Sequence, residues 1–303
     1  MYGKNTLSMV RAQVAATSDF GIPGTLRIGN PDALRVFTIS ALVYEGEVEA
    51  LAAFAWLMRQ PLALKDDVQI CLLAARPDVR EVTNNLNRLR EDWATDNWER
   101  NRAKQISDTF GQMRVKALLD LQTNDDPLDQ SGWAIVVSPG KNETPCSICI
   151  ENLTDEQEQA TGTAPFGMLF GCPAVEVLTW SGRKGQNASI ETAVSWLANH
   201  GCFREARVER TIKQRVLEVT GYIKVPDATK AYTLDKIGVL EEVASGCIIG
   251  VADDDANVQI VTEDSGMLLL TSPSGKIRKE SKDPAGYLAT ELRTVDQKIY
   301  TID

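Results

Sequence analysis

NPDALRVFTISALV, residues 30–43, decides how the first half of this chain is read. Asn30 has the short polar side chain of a helix cap, Pro31 suits the first helical position, and Asp32 suits the positive end of a helix dipole. The stretch is therefore expected to be helical. EGEVEALAAFAWLMRQP continues the same reading from Glu45 until Pro61 forbids further helix. Both segments are apolar on most faces, which places them inside a helical core. DDVQICLLAA reads as a short helix after them.

Working outward, Pro77 opens the longest pattern in the chain. Val79, Val82, Leu86, Leu89 and Trp93 are spaced as a narrow helical seam with polar residues elsewhere, a candidate self-association surface for a homo-oligomer. The seam lapses near Trp98 and resumes at Ile106, Phe110, Met113 and Ala117. It stops at LQTNDDPLDQSG, residues 121–132, where Asn, Asp, Pro and Gly cluster as they do in loops. A helical domain over 1–125 and an α+β domain over 131–303 follow from this boundary.

In the second half, GWAIVVSPG and PCSICIENL read as short strands, a hairpin or adjacent pair, and FGMLFGCPAVEVLTW adds one or two more. SIETAVSWLANHG reads as a helix ended by Gly201, and FREARVERTIKQRVLEV as another. The last third has apolar runs between Asp-rich and Gly-containing turns, the habit of an antiparallel meander. The fold class expected is α+β, with a mainly helical N-terminal part followed by a mixed, largely antiparallel C-terminal part.

The 303 residues are 43% hydrophobic and 24% charged, a globular mixture. The opening has no apolar run of signal-peptide type, and Val48–Met58, the longest apolar stretch, is too short for a membrane span. A cytoplasmic protein with reduced thiols is expected, since the six cysteines are too dispersed for a secreted disulfide framework. A net charge of −10 disfavours wholesale coating of nucleic acid, although a local basic face remains compatible with it.

One histidine, His200, is the most restrictive fact about chemistry. A Ser-His or Cys-His nucleophilic machine would have to use it as base, yet its place at a helix end suits carbonyl capping. Motifs of the G-x-S-x-G, P-loop, G-x-G-x-x-G and EF-hand types are absent from the sequence. Cys146 and Cys149, spaced C-x-x-C, could join Cys172 and either His200 or Cys202 as four zinc ligands. Against zinc, alternation along a strand would send Cys146 and Cys149 to opposite faces.

Gly182–Gly185, which includes Arg183 and Lys184, reads as a cationic loop leading into a helix. With Arg204, Arg207 and Arg215 it makes a candidate polyanion site. The function expected from these readings is a non-enzymatic structural or interaction protein that self-associates, of the kind found in viral or phage matrices, shells or nucleocapsids. A module that binds RNA or another polyanion is the alternative; a low-histidine enzyme or zinc-binding protein is the third.

Overall fold

The computed structural model describes residues 2–42, 48–75, 98–124, 133–136, 146, 148–151, 172–180, 182–235, 241–270, 276–277 and 285–302. Four helices lie among these residues: α1 (Lys4–Ala15), α2 (Leu51–Leu57), α3 (Trp98–Met113) and α4 (Gly182–Asn199). The remainder is dominated by strands. β1 (Thr25–Gly29), β2 (Arg35–Ala41), β3 (Val68–Ala74) and β4 (Ala117–Asn124) come from the first half. β5 (Trp133–Val136), β6 (Ile148–Glu151), β7 (Ala174–Trp180) and β8 (Arg207–Ile223) follow. The last third adds β9 (Tyr232–Leu234), β10 (Glu242–Val243), β11 (Ile248–Ala252), β12 (Asp255–Val261), β13 (Gly266–Leu270), β14 (Lys276–Ile277) and β15 (Gly286–Thr301).

The expected mainly helical N-terminal part is corrected by this structure. NPDALRVFTISALV supplies β2, DDVQICLLAA supplies β3, and FREARVERTIKQRVLEV lies largely within β8. β2 and β3 sit inside a parallel array, and β3 is buried along its whole length. A strand covered on both faces is apolar at every position, so period alone does not separate it from a buried helix. Val36, Thr38 and Ile39 are the β-branched residues that favour the pleat.

One sheet of 11 strands takes strands from both sides of residues 121–132, in the order β1-β3-β2-β4-β7-β5-β6-β8-β15-β13-β10. β3, β2, β4 and β7 are mutually parallel, while β8, β15, β13 and β10 are antiparallel. A second sheet, β12-β11-β9-β14, is antiparallel, in keeping with the meander expected for this third. β5 and β6 are adjacent as expected but run parallel.

The first core lies on one face of the parallel strands, where Leu7 and Val10 of α1, Phe54 of α2 and Trp196 of α4 meet Phe37, Ile39 and Leu119. Ala103, Ile106 and Phe110 of α3 cover the opposite face at Val36, Leu73 and Leu118. Ile106 and Phe110 were thus rightly placed on one helix face, but Ala117 begins β4. The seam residues Val79, Val82, Leu86, Leu89 and Trp93 lie outside the described residues.

Candidate active site

Chain order fixes where an open parallel sheet opens. From β2 the chain passes through α2 to β3 on one side, and then through α3 to β4 on the other side of β2. The two connections therefore diverge, one helix packing on each face, and make the carboxyl ends of β2 and β4 the switch point of the sheet, the place where sheets of this kind open a crevice. Such switch points are where open α/β sheets bind ligands.

Leu42, the residue that follows β2 at this point, has φ 64° although it is a leucine with no exposed surface. A left-handed conformation costs a non-glycine residue about 1–2 kcal/mol, so the surrounding packing must hold it there.

Below the crevice lies a polar network inside the sheet. Ser40, Asp120 and Glu176 are register partners on β2, β4 and β7. All three are buried, with Asp120 and Glu176 each only 1% exposed. Ser40 Oγ donates to Asp120 Oδ1 at 2.5 Å, and Gln122 Nε2 donates to Asp120 Oδ2 at 2.8 Å. Nearer the carboxyl ends, Thr179 Oγ1 donates to the Gln122 carbonyl at 3.2 Å and lies 3.3 Å from Ser189 Oγ on α4.

Both carboxyl oxygens of Glu176 are buried without a hydrogen-bond partner among the described residues. Burial holds its proton well above the usual carboxylate range, and the neighbouring Asp120 acts in the same direction. Asp120 is also raised by burial, while the bonds from Gln122 and Ser40 pull it back. The pair can thus hold one acid and one hydrogen-bonded acceptor side by side, the arrangement that separates acid and base roles.

These residues were missed in the sequence reading, although a signal was there. Asp120 stands between Leu119 and Leu121, and Glu176 between Val175 and Val177. An acid inside an uninterrupted apolar run is a buried acid, and buried acids need a reason.

The five proposed zinc ligands are not gathered. Cys146, Cys149 and Cys202 lie in the core beneath α1, α2 and α4, whereas Cys172 belongs to the α3 side. Cys146 precedes β6, so strand alternation does not govern it, and it shares a core with Cys149. Its Sγ and carbonyl both receive Gln214 Nε2, at 3.0 and 2.8 Å. Burial pushes the Cys202 thiol up to about 12 and that of Cys172 up to about 11, which disfavours the thiolate a metal needs.

His200 lies at the amino edge of the sheet, opposite the crevice. Arg35, the first residue of β2, donates from Nη2 to the His200 carbonyl at 2.8 Å, and the imidazole packs against Trp196 at 4.6 Å and Phe37 at 5.4 Å. Among the described residues no three His, Cys, Asp or Glu side chains are grouped as metal ligands.

The polyanion candidates are likewise dispersed. Arg183 and Lys184 belong to the exposed first turn of α4 rather than to a loop. α4 has 18 residues and is about 27 Å long, which separates them from the far end, where Arg204 lies just beyond it. Arg204 Nη2 meets Asp66 Oδ1 at 2.5 Å, and Arg215 Nε meets Glu291 Oε2 at 2.8 Å. Arg207 begins β8.

No protein-family model matches this chain, and no curated protein matches it. Solved structures do. The ectoine utilization protein EutE from Ruegeria pomeroyi, in its product-bound structure, superimposes with a TM-score of 0.63 at 14% identity over 88% of each chain. A succinylglutamate desuccinylase/aspartoacylase from Rhodobacter sphaeroides gives 0.61 at 12% identity, over 88% of this chain and 89% of its own. Murine aminoacylase 3 gives 0.55 at 12%, over 90% of this chain and 99% of its own.

The fold is therefore that of the succinylglutamate desuccinylase/aspartoacylase enzymes, and at these identities the likeness is one of fold. It overturns the expectation of a non-enzymatic, self-assembling structural or viral component, which rested on the absence of short motifs. Motifs report local sequence, whereas this fold is built from strand pairings between distant segments. Among the described residues no helix is long and apolar enough to cross a membrane.

Proposed function

We propose that this chain is a hydrolase that cleaves the amide of an acylated amino acid at the crevice beyond β2 and β4. The observation that carries this reading is the Asp120–Glu176 pair, an internal acid pair beneath the switch point of a fold shared with acyl-amino-acid hydrolases. In the reaction, water adds to the acyl carbon, the carbon–nitrogen bond breaks, and a proton moves to the departing nitrogen, leaving a carboxylic acid and an amine.

Glu176, kept protonated by burial, is the proton donor of the pair. Asp120, fixed from two sides by Ser40 and Gln122, is the acceptor. Both are buried on the α3 face of the sheet, where Gln122, bonded to Asp120, is the next polar side chain of β4 toward its carboxyl end. The described residues offer zinc no thiolate and imidazole set, and no step is assigned to a metal.

The test is amine release from N-succinylglutamate, N-acetylaspartate and other N-acetyl amino acids by protein purified without chelator, with its zinc content measured. Hydrolysis of at least one of these is expected. Asp120→Asn should lower kcat by about 100-fold or more with little change in KM, the scale of general acid–base contributions. The absence of amine release across the panel from folded protein would overturn the reading. Stoichiometric zinc, with activity lost on chelation, would move water activation from the carboxylates to the metal.

A further inference from the structure

At the opposite edge of the sheet, on the α3 side, lies a second pocket of about 490 Å³. It is unusual for so acidic a chain, because the charged side chains in its wall are all cations: Arg27 of β1, Arg114 just after α3, and Lys116 just before β4. Arg114 and Lys116 are exposed and make no ion pair among the described residues. Arg27 is held in place, with its guanidinium 4.5 Å over the Phe20 ring and Nη2 donating to the Asp19 carbonyl at 2.7 Å. Asp19 accepts the Arg27 backbone N–H at 2.8 Å and is not part of the pocket wall.

Two wall side chains also carry unmade hydrogen bonds. Gln69, 6% exposed, donates from Nε2 to the Ala33 carbonyl at 2.7 Å, while its Oε1 has no partner among the described residues. Nε of Arg27 is a buried donor in the same condition. Buried polar atoms left unmet in this way are costly, and a ligand toward which they turn recovers that cost. Arg114 adds a further sign of constraint, since it occupies with φ 52° the position after a helix where glycine is the usual residue. The volume is in the range of small-molecule sites.

We propose that this pocket binds a small anionic metabolite, one whose phosphate or carboxylate meets Arg27, Arg114 and Lys116 and whose hydroxyl or N–H donates to Gln69. The site is separate from the crevice and does not depend on the hydrolase reading. An occupant with an anion alone satisfies the cations and leaves Gln69 unmet; one with an adjacent donor satisfies both.

Isothermal titration at low ionic strength with inorganic phosphate, glycerol 3-phosphate and malate tests this. Saturable binding is expected, tighter for a hydroxyl-bearing probe than for inorganic phosphate; glycerol 3-phosphate ahead of malate would identify the anion as phosphate, and the reverse order as carboxylate. The double variant Arg114→Ala/Lys116→Ala should weaken binding at least tenfold with the thermal melt retained. Gln69→Leu should erase the advantage of the hydroxyl-bearing probes and leave phosphate unchanged. No saturable binding up to the millimolar range, or binding indifferent to the double variant, overturns the proposal. A melting temperature that falls in the double variant with binding intact would show instead that the two cations serve only the carboxyl-terminal dipole of α3.

Discussion

Glu176→Gln is expected to stabilise the protein near neutral pH, by about 1.4 kcal/mol for each pKa unit by which burial and Asp120 raise the folded carboxyl above its ordinary value. In a chain of this size that is several degrees or more of melting temperature. The cause is proton linkage. The folded state holds the Glu176 proton to a higher pH than the unfolded chain does, because burial and Asp120 both oppose the charge. As pH rises above the ordinary value of 4.5, the unfolded state loses its proton first, and stability falls until the folded carboxyl also ionises.

Glutamine cannot titrate, so the variant loses that decline, and the gain over the parent should shrink to nothing in acid. Urea melts of both proteins across this range measure it. A variant less stable than the parent at every pH would mean that the carboxyl makes an interaction the fold requires. Asp120→Ala should act in the opposite direction. It strands the Ser40 hydroxyl and the Gln122 amide, at a cost of about 1–3 kcal/mol for each buried group left unmet.

His200 gives the second large effect, with the reverse pH dependence. Its pKa is lowered from 6.5 to about 4, first by burial and then by the positive charge of Arg35. The unfolded chain therefore binds a proton at this residue before the folded state does. The contribution is complete above 6.5 and is lost as pH falls toward about 4, a difference of up to about 3 kcal/mol at about 1.4 kcal/mol for each pKa unit.

His200→Gln should flatten this acid limb in the same urea melts and leave the limb above 6.5 in place. An acid limb unchanged in the variant would assign the loss to other groups. Between 4.5 and 6.5 the contributions of Glu176 and His200 run in opposite directions with pH, so there the gain of Glu176→Gln over the parent should grow as pH rises and that of His200→Gln should grow as pH falls. Neither outcome depends on which substrate the crevice accepts.

The fate of residues 30–43 shows why the fold was only partly legible. Asn30, Pro31 and Asp32 are good helix-starting residues, but they form the turn before β2, where Asn30 Oδ1 accepts from the Asp32 backbone at 3.0 Å. The same side-chain bonds serve a turn and a cap. β8 was misread for a different reason. Its alternating charges resemble helical ion pairs, yet Arg215 pairs with Glu291 and Lys213 with Asp296 on β15, partners far along the chain.

The site was least legible, because Ser40, Asp120 and Glu176 lie 80 and 56 residues apart and meet only through strand register. What the linear chain declared was local: the antiparallel last third from its turn spacing, the stop of α4 at Gly201, and an imidazole count of one that limits any histidine chemistry. The order of the 11 strands, the switch point between β2 and β4, and the cations assembled at the other edge were decided by the tertiary structure. Hydrogen bonds between strands are the same for any sequence, so register and order come from which faces can be buried together. That is a property of the packed whole.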